Sequence, residues 1–558
     1  MASYCIRCIF CGTITDMVCG RSEDCILSPE ASAYADYKEK VTDMNEQKEK
    51  TLKEYIELLS GKGLLDHCIP DLQQQGEDEA DWLLQPISYI SYNSLDVKPG
   101  TLFICKGANF QKKYLEDAVK EGAVCCLSEK EWPDVGIPCL VTSNLRKAMS
   151  EVSSFYFDQI WNEQLILMGI TGTKGKSTTA TFVKAILDDY CRNIGEKEIG
   201  FLSGIYTYDG QRKVKAKKMT TPETVELHRH LASCVKNGCR YLVMETSSQA
   251  LKYDRTAALD YKVCAFLNIS EDHISDREHP DIEDYFQSKL KIFSQSQIAC
   301  VNMELDDKYL NRVIYEAEKQ CGKVITFGRV KGADYYGYNV TSTPSRLEFD
   351  VDWEGGTEHI AVSIGGYYNA SNALAAIAMT RALGVPFENI RSGLSHVKVA
   401  GRMELYQMTN KHVDVIVDYA HNKLSYQTLF ENVKKLYPDR KILLVFGCHG
   451  NKAYNRRKDL GELANLYADR IVLTEQDPGT ESVKDICDQI MQYIDKNKPV
   501  TVIEDRGEAI RAACEMVDDN WVMVIAGNGA DGYQKRGLNY VELPTDGERV
   551  QEYIDTHR

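Results

Sequence analysis

Residues 165–179 read LILMGITGTKGKSTT, and this stretch decides the fold of the middle of the chain. The apolar run at its start predicts a short buried strand, a glycine-rich turn follows, and residues 180–190 repeat apolar side chains at helical spacing. Strand, glycine loop and helix form a phosphate-binding loop, in which backbone N–H groups and the helix N-terminus face the anion. Lys176 supplies positive charge, and the Ser177 hydroxyl suits Mg²⁺. Ile170 takes the place of the first glycine of GxxxxGK[ST], so a plain glycine turn is the alternative.

The bulk composition indicates a multidomain globular protein. At 558 residues the chain is long enough for about three or four domains. The formal net charge of −16 argues against nucleic-acid binding as the main task. No apolar run approaches the roughly 20 residues needed to span a bilayer, and no secretory signal is evident. The 19 scattered cysteines are typical of reduced thiols in a cytoplasmic protein.

The N-terminal stretch is rich in cysteine. Two Cys-x-x-Cys steps could begin a zinc site, but no second pair with suitable spacing follows. We therefore expect residues 1–63 to form an extension that is partly disordered, with Met44 as an alternative start of translation. The cysteines concerned are Cys5, Cys8, Cys11, Cys19 and Cys25.

Alternating strand and helix patterns predict an α/β protein with mainly parallel sheets. Residues 64–160 read as a small α/β domain, and residues 161–402 hold the phosphate-binding loop. Residues 403–558 contain five apolar runs separated by amphipathic helices, which predicts a second doubly wound fold with ligands at the carboxyl ends of its strands. The residues that stand out at those ends are Asp418, Gly447, Thr474, Asp505 and Gly527.

Several short motifs follow the phosphate-binding loop in a fixed order. They are TTP (220–222), METSSQAL (244–251), NISEDHIS (268–275), EDYFQSKLKIF (283–293), GGYYNASNALAA (365–376), GRME (401–404), DYAHN (418–422) and FGCHG (446–450). Each is weak alone, but together they resemble the Mur ligase family over residues 64–558. DYAH, FGC and the TxxDP segment at 474–478 are most similar to the branch that makes the muramyl tripeptide.

This resemblance implies a three-domain architecture with a central P-loop ATPase domain and a C-terminal Rossmann-like domain. It also implies an ATP-dependent, ADP-forming ligase of the bacterial cytoplasm that acts in peptidoglycan precursor synthesis. Such an enzyme adds an amino acid to UDP-N-acetylmuramoyl-L-alanyl-D-glutamate through an acyl phosphate. The expected partners are these small molecules and ATP, with no nucleic acid or membrane, and we expect a monomer.

The resemblance assigns a nucleotide and metal site. Lys176 would bind the β- and γ-phosphates, Ser177 and Glu245 would hold one Mg²⁺, and Arg402 could reach a phosphate. A strand-end acid in solvent is the alternative for Glu245. Helix caps and a hinge salt bridge are the alternatives for Asn369, Asn372, Arg402 and Asp418. The phosphate cradle would be formed by Gly172, Thr173, Lys174, Gly175 and Thr178. Adenine would contact Asn369 and Asn372, and the ribose would contact Asp418.

Lys289 would be carbamylated by CO₂ and would bind a second Mg²⁺ together with His273. Carbamylation needs a neutral amine, so the site must lower the pKa of this lysine. Two cations between the carboxylate and the γ-phosphate would offset the repulsion between the two anions. The alternative for Lys289 is a solvated lysine on a helix surface.

The substrate residues implied by motif position fall in all three domains. They are Ser94, Thr220, Thr221, Ser247, Arg255, Arg457, Asp477 and Asp531. The chain departs from the family pattern at Leu95, Gln249, Gly479 and Asn528. Because Gly479 replaces an arginine that would bind a second carboxylate, and Asp477 adds negative charge, we expect L-lysine or a neutral amino acid rather than meso-diaminopimelate.

Two other functions fit the same ATPase core. One is a divergent ligase that acts on another carboxylate, as in folate-type glutamate ligation or cyanophycin-like ligation. The other is a non-catalytic nucleotide switch, against which the intact set Glu245, His273 and Lys289 argues, since a pure binder needs no two-metal site.

Overall fold

Three sheets of five, eleven and six strands follow one another along the chain. The computed structural model describes residues 49–69, 81–216, 219–271, 274 and 278–557. Residues 50–558 form one compact unit. The N-terminal cysteines, Met44 and His273 lie outside the described residues, so the predictions made for them stay predictions.

The first sheet is parallel except at one edge. The elements of this region are β1 (Lys50–Thr51), α1 (Leu52–Gly61), β2 (His67–Ile69), β3 (Pro86–Ile87), β4 (Tyr89–Ser91), β5 (Thr101–Ile104), α2 (Lys112–Lys120), β6 (Ala123–Ser128), β7 (Cys139–Val141), α3 (Leu145–Tyr156) and α4 (Trp161–Gln164). The spatial order is β2-β7-β6-β5-β4, with β2 antiparallel to β7, while β1 and β3 pair separately.

Helix α1 packs on α3 beside this sheet. It buries Leu52, Tyr55 and Leu59 completely, at the i, i+3 and i+4 spacing of an apolar helix face. Burying three such side chains would contribute several kcal/mol, at roughly 1.5–3 kcal/mol each. Helix α1 precedes residue 64, and the domain boundary expected at that residue stays a prediction.

The central sheet is parallel from β9 to β16 and antiparallel at both ends. The elements of this region are β8 (Ile166–Thr171), α5 (Lys176–Asn193), β9 (Gly200–Leu202), β10 (Tyr206–Tyr208), β11 (Lys213–Lys215), α6 (Thr224–Lys236), β12 (Tyr241–Glu245), α7 (Ser248–Lys252), β13 (Tyr261–Phe266), α8 (Ile282–Leu290), β14 (Ser296–Asn302), α9 (Asp307–Gln320), β15 (Lys323–Gly328), β16 (Tyr335–Ser342), β17 (Leu347–Trp353), β18 (Gly356–Val362), α10 (Asn369–Ala382) and α11 (Phe387–Ser395). The spatial order is β11-β10-β9-β12-β8-β13-β14-β15-β16-β17-β18.

Strand β8 lies in the middle of this sheet, between β12 and β13. Its side chains are buried on both faces, as for the adjacent residues Leu167 and Met168, because helices cover a parallel sheet on both sides. The predicted short apolar strand is thus confirmed. Since β8, β12 and β13 run in the same direction, the phosphate-binding loop, Glu245 and Asn268 meet at one edge of the sheet.

The third sheet is doubly wound, as the sequence predicts. The elements of this region are β19 (Glu404–Met408), β20 (Val413–Asp418), α12 (Lys423–Leu436), β21 (Lys441–Phe446), α13 (Asn455–Tyr467), β22 (Arg470–Leu473), α14 (Val483–Met491), β23 (Val500–Val502), α15 (Arg506–Met516), β24 (Trp521–Ala526), β25 (Tyr533–Arg536), β26 (Asn539–Glu542) and α16 (Asp546–Thr556). The spatial order is β19-β20-β24-β21-β22-β23, with only β19 antiparallel to its neighbour among these six strands, and β25 and β26 form a separate hairpin. The predicted α/β fold class is confirmed.

Candidate functional site

The phosphate-binding loop joins β8 to the first turn of α5. Gly175 precedes the helix with a φ of 86°, a conformation that favours glycine. A Cβ at this position would lie 2.3 Å from Asn372 Oδ1, and a Cβ on Gly172 would lie 2.9 Å from Leu267 Cβ. The loop backbone therefore lies close to two neighbouring segments, which only glycine permits at both positions. The two glycines thus pack the loop against Asn372 and Leu267.

Asn268 holds the loop from outside. The Lys174 N–H donates to Asn268 Oδ1 at 2.8 Å, and Asn268 Nδ2 donates to the Lys174 carbonyl oxygen at 3.0 Å. The Thr173 N–H donates to the Asn268 carbonyl oxygen at 3.1 Å. Asn268 begins the NISEDHIS motif, but it is not among the site residues predicted from sequence. Its position just after β13, beside the loop after β8, was the signal that could have identified it.

Lys176 lies over the loop that it follows. Its ammonium donates to the carbonyl oxygens of Gly172, at 2.8 Å, and Thr173, at 3.2 Å. Its charge therefore lies beside the loop N–H groups and the N-terminus of α5, where an anion is favoured.

A cavity of about 680 Å³ extends from this loop to the third sheet. Its volume lies within the range of about 300–1,000 Å³ that is typical of ligand pockets. The predicted residues in its wall are Thr173, Lys174, Gly175, Lys176, Ser177, Thr178, Thr220, Glu245, Asn372, Arg402, Asp418, Asp477 and Asp531. Predicted residues that the structure describes outside this wall are Ser94, Gly172, Thr221, Ser247, Arg255, Lys289, Asn369 and Arg457.

Glu245 ends β12 and is 2 % exposed, so the alternative of an acid in open solvent is wrong. Its Oε1 accepts the Gly204 N–H at 2.8 Å. The Glu245 carboxylate and the Ser177 hydroxyl both lie in the cavity wall. Both offer oxygen atoms, which are the ligands that Mg²⁺ prefers. In the described part of the chain, no group of three or more His, Cys, Asp or Glu side chains could hold a metal. A magnesium ion here would thus take further ligands from water and phosphate, as is usual for this metal.

Lys289 is 1 % exposed, so the alternative of a solvated surface lysine is also wrong. Its ammonium donates to the Gly172 carbonyl oxygen at 3.0 Å and lies 4.4 Å from the centroid of the Tyr285 ring. It therefore lies behind the phosphate-binding loop rather than in the cavity wall. Its carbamylation and its pairing with His273 remain predictions.

The hinge residues between the second and third sheets meet in the cavity wall. The Arg402 guanidinium lies 4.2 Å from the centroid of the Tyr419 ring. Asp418 accepts the N–H groups of Met403 and Ala420, both at 2.8 Å, and burial raises the pKa of this carboxyl despite the nearby Arg402. Asp418 thus holds the backbone just after the hinge, at Met403, and also faces the cavity.

The two asparagines predicted to bind adenine are placed differently. Asn372 lines the cavity, whereas Asn369 is 1 % exposed and lies outside the wall. The Asn369 amide donates to the Gly365 carbonyl oxygen at 2.8 Å and accepts from Asn372 at 3.0 Å. Asn369 therefore orients Asn372, and its own side chain is directed to protein partners.

The predicted acceptor residues cluster beside the end of β12. Thr221 Oγ1 donates to the Glu245 carbonyl oxygen at 2.9 Å and accepts the Ser247 N–H at 3.0 Å. Arg255 donates to the Thr221 carbonyl oxygen at 3.4 Å and forms an ion pair with Glu223 at 2.9 Å. Glu223 is not among the site residues predicted from sequence, although it directly follows the TTP motif. Ser94 lies on the loop after β4 in the first sheet, apart from this cluster.

Arg457 was predicted as a substrate residue, but the structure directs its side chain into the protein. It is 2 % exposed, and it donates to Glu481 at 2.8 Å and to Gln489 at 2.6 Å. Asp477 and Asp531 lie in the cavity wall, together with the basic side chains of His449 and Lys452 close to Asp477. The Asp531 side chain is open to the cavity but otherwise surrounded by protein. Burial and the charge of Asp477 raise the pKa of this side chain to about 7.

Other cavity residues were not foreseen as site residues from sequence. Burial lowers the pKa of His449 to about 3, and His449 Nε2 lies 3.6 Å from Asp477 Oδ2. On the opposite side, Arg329 donates to Glu304 at 2.7 Å, and Ser371 donates to the same carboxylate at 2.8 Å. The unforeseen polar and aromatic residues of the wall include Asn302, Glu304, Arg329, Tyr368, Ser371, Tyr419, His421, His449, Lys452, Tyr533 and Tyr540.

Within the described residues, the helices are all too short or too polar to cross a membrane.

Two family models match the chain. Residues 170–380 match the Mur ligase middle domain, and residues 401–529 match the glutamate ligase domain of Mur ligases. A UDP-N-acetylmuramoyl-L-alanyl-D-glutamate–L-lysine ligase of Enterococcus faecalis is 38% identical over 471 residues, which cover 83% of this chain and 90% of the relative. A UDP-N-acetylmuramoyl-L-alanyl-D-glutamate–2,6-diaminopimelate ligase of Caldanaerobacter subterraneus is 35% identical over 454 residues, which cover 80% of this chain and 91% of the relative.

Solved structures share the fold at lower identity. A UDP-N-acetylmuramoyl-L-alanyl-D-glutamate–2,6-diaminopimelate ligase aligns with a TM-score of 0.62 and 22% identity, over 91% of this chain and 99% of that one. A folylpolyglutamate synthase of Mycobacterium tuberculosis complexed with ADP aligns with a TM-score of 0.56 and 17% identity, over 68% of this chain and 91% of that one. At these identities the two structures establish the likeness of fold.

Proposed function

The chain belongs to the Mur ligase family, and on that premise we propose that it joins L-lysine to UDP-N-acetylmuramoyl-L-alanyl-D-glutamate. It is an ATP-dependent, ADP-forming ligase of peptidoglycan precursor synthesis. The observation that carries the proposal is one cavity that joins a phosphate-binding loop to two aspartates of the third sheet, Asp477 and Asp531. ATP at one end and a cationic amino acid at the other would place the acceptor carboxylate between them.

The ATP end of the cavity supports phosphoryl transfer to a carboxylate. Lys176 and the N-terminus of α5 would stabilise the charge of the phosphates, and Arg402 would approach from the third sheet. Ser177 and Glu245 would hold Mg²⁺, which would reduce the repulsion between the phosphate and the carboxylate. The acceptor carboxylate would attack the γ-phosphorus, release ADP and form an acyl phosphate.

Four residues beside the end of β12 support binding of the acceptor. They are Thr220, Thr221, Ser247 and Arg255. Thr220 lines the cavity, and hydrogen bonds hold Thr221 and Ser247 to the strand that ends in Glu245. An arginine suits a carboxylate or phosphate because its guanidinium can donate two parallel hydrogen bonds. Arg255 would give up its ion pair with Glu223, or share it, when the acceptor binds.

The part of the cavity proposed to bind the incoming amino acid favours a positively charged side chain. Asp477 and Asp531 place two carboxylates in the wall against the one ammonium group of Lys452, whose pKa burial lowers. Gly479 offers no guanidinium for a second carboxylate of the incoming amino acid. The side chain of lysine carries a positive charge at its end, whereas that of diaminopimelate ends in both an amine and a carboxylate. The charge pattern therefore favours L-lysine.

Amino-acid-dependent ADP release with purified UDP-muramoyl-dipeptide tests the proposal. We expect L-lysine to give the highest kcat/KM in a panel that includes ornithine, alanine, glutamate and meso-diaminopimelate. Diaminopimelate as the best substrate would refute lysine preference but retain the acceptor. Activity only with another carboxylate, such as a folate, would refute the acceptor, and ATP binding without amino-acid-dependent ADP release would favour a nucleotide switch.

A further inference from the structure

A buried histidine without a role in the chemistry above lies between the acceptor residues and the phosphate-binding loop. His279 is fully buried, with Nδ1 2.6 Å from Asp284 Oδ2 and Nε2 3.0 Å from Ser248 Oγ. A carboxylate only accepts, so Nδ1–H donates to Asp284, and in the neutral ring Nε2 accepts from the Ser248 hydroxyl. Burial lowers the pKa of His279 despite the opposing effect of Asp284, which favours this neutral form.

On one side, His279 reaches the acceptor residues through α7. Ser248 is the first residue of this helix, and Ser247 caps it by accepting the Ala250 N–H at 3.2 Å. The Ser247 N–H donates to Thr221 Oγ1, which in turn donates to the Glu245 carbonyl oxygen. A change in the position of α7 would therefore move the residues proposed to bind the acceptor.

On the other side, His279 reaches α8 through Asp284. The same Asp284 oxygen accepts from Lys252, the last residue of α7, at 2.6 Å. Helix α7 is thus tied to α8 at both ends, at Ser248 through the histidine and at Lys252 through a direct ion pair. These contacts fix the orientation of a five-residue helix, which has little stability of its own.

Helix α8 continues the connection to the phosphate-binding loop. The Tyr285 hydroxyl donates to Thr173 Oγ1 at 3.3 Å, and Lys289 donates to the Gly172 carbonyl oxygen at 3.0 Å. The Tyr285 ring also contacts the His279 ring edge-on, with 5.0 Å between centroids. One continuous set of contacts therefore runs from Ser247 to the loop residues.

We propose that His279 is a positioning residue that couples α7, and through its cap Ser247 the acceptor residues, to the nucleotide-binding loop through α8. Transfer of a phosphoryl group requires the reacting atoms to come within roughly 3–3.5 Å, and misplacement by about 1 Å can cost roughly a hundredfold in rate. The identity of the acceptor rests on the proposed function, but the coupling itself requires only nucleotide at the loop.

Hydrogen–deuterium exchange on the full chain, with and without magnesium and a non-hydrolysable ATP analogue, tests the coupling independently of the acceptor. In the wild type we expect the nucleotide to slow exchange in both residues 172–178 and residues 248–252. His279→Phe keeps the ring volume but removes both hydrogen bonds, so we expect protection of the loop to remain and protection of α7 to be lost. His279→Gln offers an amide N–H and an oxygen, and we expect it to restore part of that protection.

Unchanged protection of α7 in His279→Phe, or no protection of α7 in the wild type, would overturn the proposal. Ser248→Ala provides a second variant should His279→Phe fail to fold, and it should also uncouple α7. With the acceptor established, His279→Phe and Ser248→Ala should each raise its KM roughly tenfold or lower kcat, and their combined effect should be less than additive. Additive effects would contradict a shared hydrogen bond, whereas an inactive wild type would refute the proposed function and leave the exchange result standing.

Discussion

Arg255 donates to Glu223 at 2.9 Å, and the same carboxylate forms ion pairs with Lys106 and Arg146. Two of these cations come from the first sheet region and one from the central region, so a single carboxylate holds three positive charges at the boundary between them. The Glu223 side chain is 13 % exposed. Burial alone would raise the pKa of Glu223, but the charges of Arg255 and Lys106 outweigh it and the pKa is lowered.

This lowered pKa predicts a specific pH dependence of stability. A carboxyl group whose pKa is lower in the folded state stabilises the fold above its unfolded pKa, and this contribution is lost as the pH falls through the folded value. At pH 7 we expect Glu223→Gln to lower the apparent Tm by about 3–6 °C, because three cations then repel one another. The difference from wild type should shrink between pH 5 and pH 3 in thermal scans. Glu318→Gln, at an exposed position on α9, is the control; a Tm difference for Glu223→Gln that does not depend on pH would contradict the assignment.

The contact between Gly175 and Asn372 predicts the effect of a methyl group in the phosphate-binding loop. Gly175→Ala adds a Cβ that would lie 2.3 Å from Asn372 Oδ1, at a φ of 86°. We expect the Kd for ATP to rise at least roughly tenfold, because relief of the clash must displace either the loop or the Asn372 side chain, and both line the cavity. Isothermal titration with ATP measures this directly.

Gly195 offers a matched control for this substitution. Its φ is 75°, but a Cβ there meets nothing within 4 Å. Gly195→Ala should therefore carry the same backbone strain, about 1–2 kcal/mol, and leave the Kd for ATP unchanged. An equal loss of ATP affinity in both variants would show that strain alone, and not the contact with Asn372, accounts for the result.

The phosphate-binding loop could be predicted from sequence because its parts are adjacent in the chain. Strand, glycines, Lys176 and Ser177 lie within fifteen residues, and local periodicity is enough to order them. Glu245 was also predictable, since the end of a buried apolar strand in a parallel sheet lies at the same edge as the loop. The alternation of strands and helices was likewise enough for the α/β class.

The partners of charged side chains could not be predicted in this way. Arg457 and Arg255 both look like substrate-binding arginines in sequence, but Glu481, 24 residues further on, pairs with the first and Glu223 pairs with the second. His279 has one partner 31 residues away and one only five residues away. Which cation faces a cavity depends on such long-range pairs, and no local pattern in a single sequence specifies them.

Because the amine of Lys289 is buried, we expect its replacement to reduce activity far more than replacement of the nearby Lys291. Lys289→Ala should lower the rate of ADP release by at least roughly a hundredfold, because a charged or carbamylated group is lost next to the phosphate-binding loop. If a carbamate is the active form, formate or acetate should restore part of the rate. Lys291→Ala removes a 45 % exposed lysine paired with Asp254 and should retain the wild-type rate. Full activity of Lys289→Ala would exclude a role for Lys289 in the reaction. Loss of activity that formate and acetate do not restore would favour an unmodified amine over a carbamate.

The raised pKa of Asp531 predicts how amino acid binding depends on pH. With a pKa of about 7, Asp531 is largely neutral at pH 6 and largely ionised at pH 8, whereas the side-chain ammonium of lysine stays charged throughout. The KM for L-lysine should therefore fall severalfold from pH 6 to pH 8 in the wild type. Asp531→Asn should give a high KM whose remaining pH dependence follows only the α-amine of the substrate, as measured by initial rates of ADP release.

Alanine as substrate serves as the control, because it has no side-chain cation for Asp531 to bind. A KM for lysine with the same pH profile in wild type and Asp531→Asn would remove Asp531 from the lysine site and leave Asp477 as its acidic partner.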